Sequence, residues 1–109
     1  MNKKYLIMGF VIFAAFYFFN SPKRLAAWEI DSSCDIVVFT TASCPACKMV
    51  KQYLKARSIA WCEKNVEQSA DNYLLFKDMG GVGVPLAVIG TEVIHGYSPR
   101  EYQAAISDL

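Results

Sequence analysis

Histidine occurs once in the 109 residues, and the four cysteines form only one C-x-x-C. Structural zinc is usually closed in by a second such pair or by two histidines, so no zinc centre is expected and the site is assigned no metal. An excess of one charge is missing too: eleven basic and ten acidic residues, spread along the chain, leave a formal net charge of +1. Nucleic-acid binding normally rests on a basic stripe or patch, and that class is set aside. No internal repeat or low-complexity tract interrupts the sequence, so a chain of this size has room for one small domain and an appendage.

What is present is unevenly placed. Apolar residues make up 54% of the chain, and their excess lies near the amino terminus. The run YLIMGFVIFAAFYFF, Tyr5 to Phe19, carries no charge, and none follows until Lys23. As a helix, Tyr5 to Pro22 would reach about 27 Å, close to the roughly 30 Å of a hydrocarbon core, with Lys4, Lys23 and Arg24 at its edges. The expected organisation is therefore a transmembrane helix within residues 1–22, a linker over 23–33 and a folded domain over 34–109. A cleaved signal sequence is the rival reading, with Lys3 and Lys4 as its basic start. Against it, no small-x-small pair directly follows the apolar run, and Leu25-Ala26-Ala27 comes only after Lys23 and Arg24. A buried core helix is the third. Basic residues nearly balance across the run, and the domain is assigned to the extracytoplasmic, periplasmic side.

The stretch FTTASCPACKMVK, residues 39–51, stands where one pattern gives way to another. Ile36 to Phe39 is a short β-branched and aromatic run suited to a buried strand. Cys47, Val50 and Leu54 then recur at helical spacing. Ile59 to Val66 suits a second strand. Asn72 to Met79 reads as a helix with Tyr73, Leu75 and Phe76 inward, ended by Gly80-Gly81. Leu86 to Ile89 and Glu92 to His95 are strands around a two-residue Gly90-Thr91 turn. Ser98-Pro99 opens a last helix with Tyr102 and Ile106 on one face. The order is β-α-β-α-β-β-α.

A thiol on a helix's first turn faces unpaired N–H groups and the positive end of the helix dipole, and both favour the thiolate. Cys44 has that position, and Cys47 lies one turn deeper. Cys44 thus reads as nucleophile and Cys47 as resolving thiol. Pro45 fits a helix start, where its missing N–H has no partner to lose. Pro45-Ala46 supplies no imidazole, so no extreme oxidant is expected. A metal-binding pair and two inert buried thiols are the other readings of these cysteines. Lys48 and Lys51 either raise the potential near Cys44 or form the solvated face of the helix.

Three segments in order, SCPACKMVKQYL, MGGVGVPLAVI and VIHGYSP, resemble the glutaredoxin branch of the thioredoxin superfamily over Ile36 to Leu109. The resemblance implies an α/β fold of thioredoxin-like, glutaredoxin type, with a four-stranded mixed sheet and flanking helices. It further implies a dithiol-disulfide oxidoreductase with catalytic Cys44 and Cys47 and a cis Val84-Pro85 bond whose backbone pairs with substrate. Pro45, Val84, Pro85, Gly96 and Tyr97 would line the substrate groove, with packing against the last helix as the other role of Tyr97. In the resembled fold Cys34 and Cys62 sit at neighbouring parallel strands, where a structural disulfide and two free thiols are both open readings. No tightly bound cofactor is implied. The partners would be protein disulfides or glutathione, and the domain would act as a monomer. A dithiol metal carrier or iron-sulfur scaffold on the same fold is the alternative function, and a non-enzymatic docking domain a third.

The departures from the family pattern bear on substrate. Thr41 stands where many glutathione-using members carry lysine, Ser98 where they carry an acidic residue, and His95 where glycine is common. Glutathione thereby loses charge-assisted partners. The assigned topology is checked by fusing alkaline phosphatase after Leu109. The fusion is expected to be active, and an inactive one beside an active cytoplasmic reporter would overturn the assignment.

Overall fold

A computed structural model describes residues 25–109. Tyr5 to Pro22, the segment expected to form an anchor, lies outside the described residues, as do Lys23 and Arg24. Among the described residues no helix is long and apolar enough to cross a membrane.

The chain runs α1 (Ala27–Ile30), β1 (Ile36–Thr40), α2 (Pro45–Lys55), β2 (Trp61–Asn65), α3 (Ala70–Asp78), β3 (Leu86–Ile89), β4 (Glu92–His95) and α4 (Pro99–Ser107). The strands form one mixed sheet in the order β2-β1-β3-β4. β1 is parallel to β2 and antiparallel to β3, and β3 is antiparallel to β4. This is the thioredoxin-like α/β arrangement that the sequence segments implied.

All five residues of β1 are buried. Alternation then sends successive side chains to opposite layers. Ile36 and Val38 join Val50 and Leu54 of α2, Ala87 and Ile89 of β3, and Tyr102 and Ala105 of α4. Val37 and Phe39 join Ala27, Cys34, Phe76, Met79, Leu86 and Val88 on the other face. At about 1.5–3 kcal/mol for each large apolar side chain taken from water, burial on both faces makes β1 a substantial source of stability.

Part of the segment expected as a linker packs on the sheet. Ala26, Ala27 and Cys34 are buried, and the Ala27 N–H donates to the Gly90 carbonyl at 2.8 Å. Two alanines let this short helix approach the sheet closely, so the ordered domain is under way by Leu25. The second helix pattern needs correction. α3 begins at Ala70, because Ser69 accepts from the Asn72 N–H and caps it, and Tyr73 points outward at 46% exposure. The Lys77 ammonium lies 5.9 Å from the Tyr73 ring, while Phe76 and Met79 are buried as inward anchors and Leu75 packs with them as expected. β2 is shorter than Ile59 to Val66, although Ile59 still packs on the α2 and α4 layer.

Two glycines do specific work. Gly80, at φ +83°, reverses the chain after α3: its N–H reaches the Lys77 carbonyl and that of Gly81 the Phe76 carbonyl, so two terminal carbonyls are satisfied. Gly96, at φ +79°, donates to the Pro85 carbonyl at 2.9 Å and accepts from the Tyr102 hydroxyl.

Burial, with a smaller contribution from Tyr97, pushes the Tyr102 phenol up from 10.0 to about 12. The native state therefore holds its proton while the unfolded chain ionises, and stability is lost as pH rises from the unfolded to the folded value. The loss is at most about 2.7 kcal/mol. Denaturant unfolding across that window is expected to show the decline in the native protein and not in Tyr102→Phe. At neutral pH that variant should be less stable by about 1–2 kcal/mol, because the Gly96 carbonyl loses its donor.

Candidate functional site

The site is assembled where β1 ends and β3 begins, on one side of the sheet. β1 delivers the chain to Thr40, residues 41–43 make a short turn, and Cys44 becomes the N-cap of α2. Its backbone is extended, with φ −92° and ψ 110°, and the first turn of α2 carries Pro45 but no acidic residue. Nothing in that turn offsets the dipole.

The Cys47 N–H donates to Cys44 Sγ at 3.1 Å. A charge-assisted bond of this kind stabilises an ionised sulfur by about 1.5–3 kcal/mol, against about 0.3–1 kcal/mol for the dipole alone. The hydrogen bond is the larger effect, and it depends on helix geometry placing residue N3 under the cap. Cys44 is half-buried, whereas Cys47 is fully buried. The two sulfurs are at disulfide distance, with α-carbons 5.2 Å apart. An incoming group thus meets Cys44 first.

Val84 and Pro85 are joined by a cis peptide bond. Cys44 Sγ lies 3.8 Å from the Val84 carbonyl oxygen. Pro85 is buried, while Val82 is 88% exposed, and a methyl group added at Gly83 would meet nothing within 4 Å. The backbone beside the sulfur is therefore open on its outer side. Pro45 is exposed at the head of α2, and Met49, one turn on, is half exposed. Gly96 is held to this rim through Pro85. Tyr97 turns inward: its ring packs at 6.4 Å from Tyr53 and 6.0 Å from Tyr102. Of the residues the sequence singled out, Cys44, Cys47, Pro45, Val84, Pro85 and Gly96 are brought together, and the Tyr97 ring belongs to the α4 side of the core.

The charged and polar neighbours are equally specific. Lys51 pairs with Glu63 of β2 at 2.6 Å, which ties α2 to the sheet edge. His95 is exposed on β4, opposite Leu86. Thr41 and Ser98 are half-buried, and Ser98 caps α4 through its backbone alone. Sequence reasoning passed over Thr40. Its hydroxyl is fully buried without a hydrogen-bond partner, and the signal was a polar residue closing an otherwise apolar strand.

Cys34 and Cys62 stand at the opposite end of β1. Their sulfurs are at disulfide distance with α-carbons 6.0 Å apart. An Asp31 carboxylate oxygen and both sulfurs lie within 4.8 Å of one another. Hydrogen bonds from Ser33, with Lys64 nearby, hold the Asp31 carboxyl below its ordinary value, so it is ionised at neutral pH. A negative charge there repels an attacking thiolate and disfavours a leaving one. One sulfur pair faces an N–H and a helix start; the other faces a carboxylate.

The chain matches the Glutaredoxin family over residues 36–94. It is 32% identical over 75 residues to an uncharacterized glutaredoxin-like 8.6 kDa protein in a rubredoxin operon of Clostridium pasteurianum, covering 65% of this chain and 96% of that one. The crystal structure of the thioredoxin-like protein BC3987 superposes with a TM-score of 0.60 at 32% identity, over 64% of this chain and 97% of that one. A buckwheat glutaredoxin solved in complex with glutathione shares the fold with a TM-score of 0.59 at 20% identity, over 75% of this chain and 84% of that one.

The contrast between the two sulfur pairs sets an order of reduction. In a stepwise thiol titration followed by alkylation and mass spectrometry, Cys44 and Cys47 are expected to be labelled before Cys34 and Cys62. Asp31→Asn should speed labelling of the second pair and leave the first unchanged. Labelling of Cys34 and Cys62 first would remove the electrostatic account.

Proposed function

The chain belongs to the glutaredoxin family, and from that membership we propose that it is a thiol-disulfide oxidoreductase working through Cys44 and Cys47. The observation that carries the reading is the half-buried Cys44 sulfur at the cap of α2, supplied with the Cys47 N–H at 3.1 Å. Cys44 attacks one sulfur of a substrate disulfide. That disulfide bond breaks, its other sulfur leaves with the electron pair and takes up a proton, and a mixed disulfide forms at Cys44. Cys47 gives up its proton and attacks the Cys44 sulfur, which frees the second substrate thiol and closes the Cys44-Cys47 bond. A dithiol or two glutathione molecules running the same steps backwards restore the thiols. The protein's own sulfurs carry the electrons, and no tightly bound cofactor takes part.

The substrates are protein disulfides or glutathione. Val84 offers its backbone to an extended substrate segment beside Cys44, in the manner of an added strand, with Pro45, Pro85 and Gly96 shaping the rim. The openness around Val82 and Gly83 supports a polypeptide there. Thr41 and Ser98 bring no charge to glutathione's carboxylates, which favours contacts that do not depend on them. In this reading residues 1–22 tether a monomeric domain to a membrane, with the sulfurs on its extracytoplasmic side.

Cys47→Ser is expected to accumulate partners as mixed disulfides on Cys44, visible as reductant-sensitive bands in non-reducing electrophoresis, while Cys44→Ser accumulates none. Trapping by Cys44→Ser instead would reverse the two roles, and trapping by neither would remove the proposed activity.

A further inference from the structure

The Cys34 and Cys62 sulfurs and a carboxylate oxygen of Asp31 converge within 4.8 Å of one another, at the pole of the sheet away from Cys44. Two distant stretches of chain supply them. Asp31 ends α1, and its carbonyl accepts from the Cys34 N–H at 3.1 Å, so one tight turn carries both side chains. Cys62 stands opposite Val37 in the parallel pairing of β1 with β2, on the face that α1 and Cys34 cover. Spacing along the sequence gives no sign of such a set, because it contains neither a second C-x-x-C nor a histidine.

The carboxylate is held in the way ligating carboxylates are held by their surroundings. Ser33 donates to one Asp31 oxygen through its hydroxyl at 2.6 Å and its N–H at 3.1 Å. Lys64 lies two residues beyond Cys62 on the same face of β2, and its ammonium stands 3.6 Å from the other oxygen. Two thiolates and the carboxylate are balanced in formal charge by a divalent cation together with that ammonium. Cys34 is buried, whereas Asp31 and Cys62 are half-buried, which leaves a side open for an ion to enter.

Oxidation state decides what the cluster can do. With α-carbons 6.0 Å apart, the sulfurs can close a disulfide. When two external thiols are oxidised to a disulfide in its place, Cys34 and Cys62 are left as thiols beside a carboxylate. Rotation about their Cα–Cβ bonds opens the sulfurs to about 3.8 Å, the separation set by zinc–sulfur bonds of about 2.3 Å at a tetrahedral angle. Soft sulfur ligands with a single carboxylate suit zinc, while calcium and magnesium take oxygen ligands.

We propose that in the reduced chain Asp31, Cys34 and Cys62 form a three-ligand zinc site, separate from the Cys44-Cys47 pair, with its fourth position left to water. The ion displaces the thiol protons to solvent, forms two zinc–sulfur bonds and keeps its own oxidation state. An external disulfide that oxidises the two sulfurs is itself reduced to thiols, and the ion is released. The site fastens the turn after α1 to β2 under reducing conditions, where a disulfide cannot.

The test is cobalt binding to the full chain in detergent, carrying Cys44→Ser and Cys47→Ser so that the other sulfur pair contributes nothing. In the presence of a phosphine reductant, about one cobalt ion per chain is expected, with near-ultraviolet thiolate charge-transfer absorption and the visible bands of tetrahedral coordination. Zinc should displace the cobalt, and oxidation of the chain should abolish both signals. Cys34→Ser and Cys62→Ser should each lose the charge-transfer band in large part. Asp31→Asn keeps the shape of a half-buried side chain and both sulfurs, and Ser33→Ala removes only the hydroxyl that orients the carboxylate; each should weaken binding about tenfold or more. No cobalt absorption in the reduced chain, an undiminished band in either serine variant, or an unchanged affinity in Asp31→Asn would overturn the proposal. The readout needs neither Cys44 nor Cys47. A failed mixed-disulfide trap therefore counts against the proposed activity alone, and a failed cobalt titration against this site alone.

Discussion

The burial of β1 on both faces and its pairing on both edges is the constraint on which the rest of the molecule depends. A strand covered on both sides has its side-chain alternation fixed, since a slip of one residue would exchange its two apolar sets. With the register fixed, the point where the chain leaves the sheet is fixed as well. Cys44 follows four residues after Thr40, so the cap of α2 forms at a set distance from the start of β3. The approach of Cys44 to the Val84 carbonyl is therefore a product of sheet register, not of a local fit between the two loops.

The same strand separates two sulfur pairs of opposite character. At its carboxyl end, the helix start gives Cys44 an N–H and leaves it half-buried, which suits a nucleophile. At its amino end, the Cys34 and Cys62 sulfurs stand at disulfide distance beside an ionised Asp31, whose charge disfavours attack by a thiolate. Composition treats these four residues alike. Their chemistry is assigned by which end of β1 they occupy.

Much of this was legible because the patterns are local. The strand-to-helix switch at Cys44, the Gly90-Thr91 hairpin and the Ser98-Pro99 helix start each rest on residues close in sequence, and the described elements follow them. What was not legible depends on distant partners. Ala26 and Ala27 look like linker residues until Gly90 supplies a carbonyl, and Tyr73 looks inward until Ser69 starts α3 two residues earlier than the apolar pattern suggests. Tyr97, placed by its motif at the rim, is drawn toward Tyr53 and Tyr102. Thr40 carries no motif at all, and only its burial without a partner sets it apart.

The bond from the Ala27 N–H to the Gly90 carbonyl ties the beginning of the described chain to the turn after β3. Gly90 lies beyond Ile89, level with the start of β1, while Cys44 lies beyond its far end. Five strand residues at about 3.3 Å each put roughly 17 Å between these poles. The described chain therefore enters the domain at the base of the sheet, at the pole opposite the Cys44 sulfur.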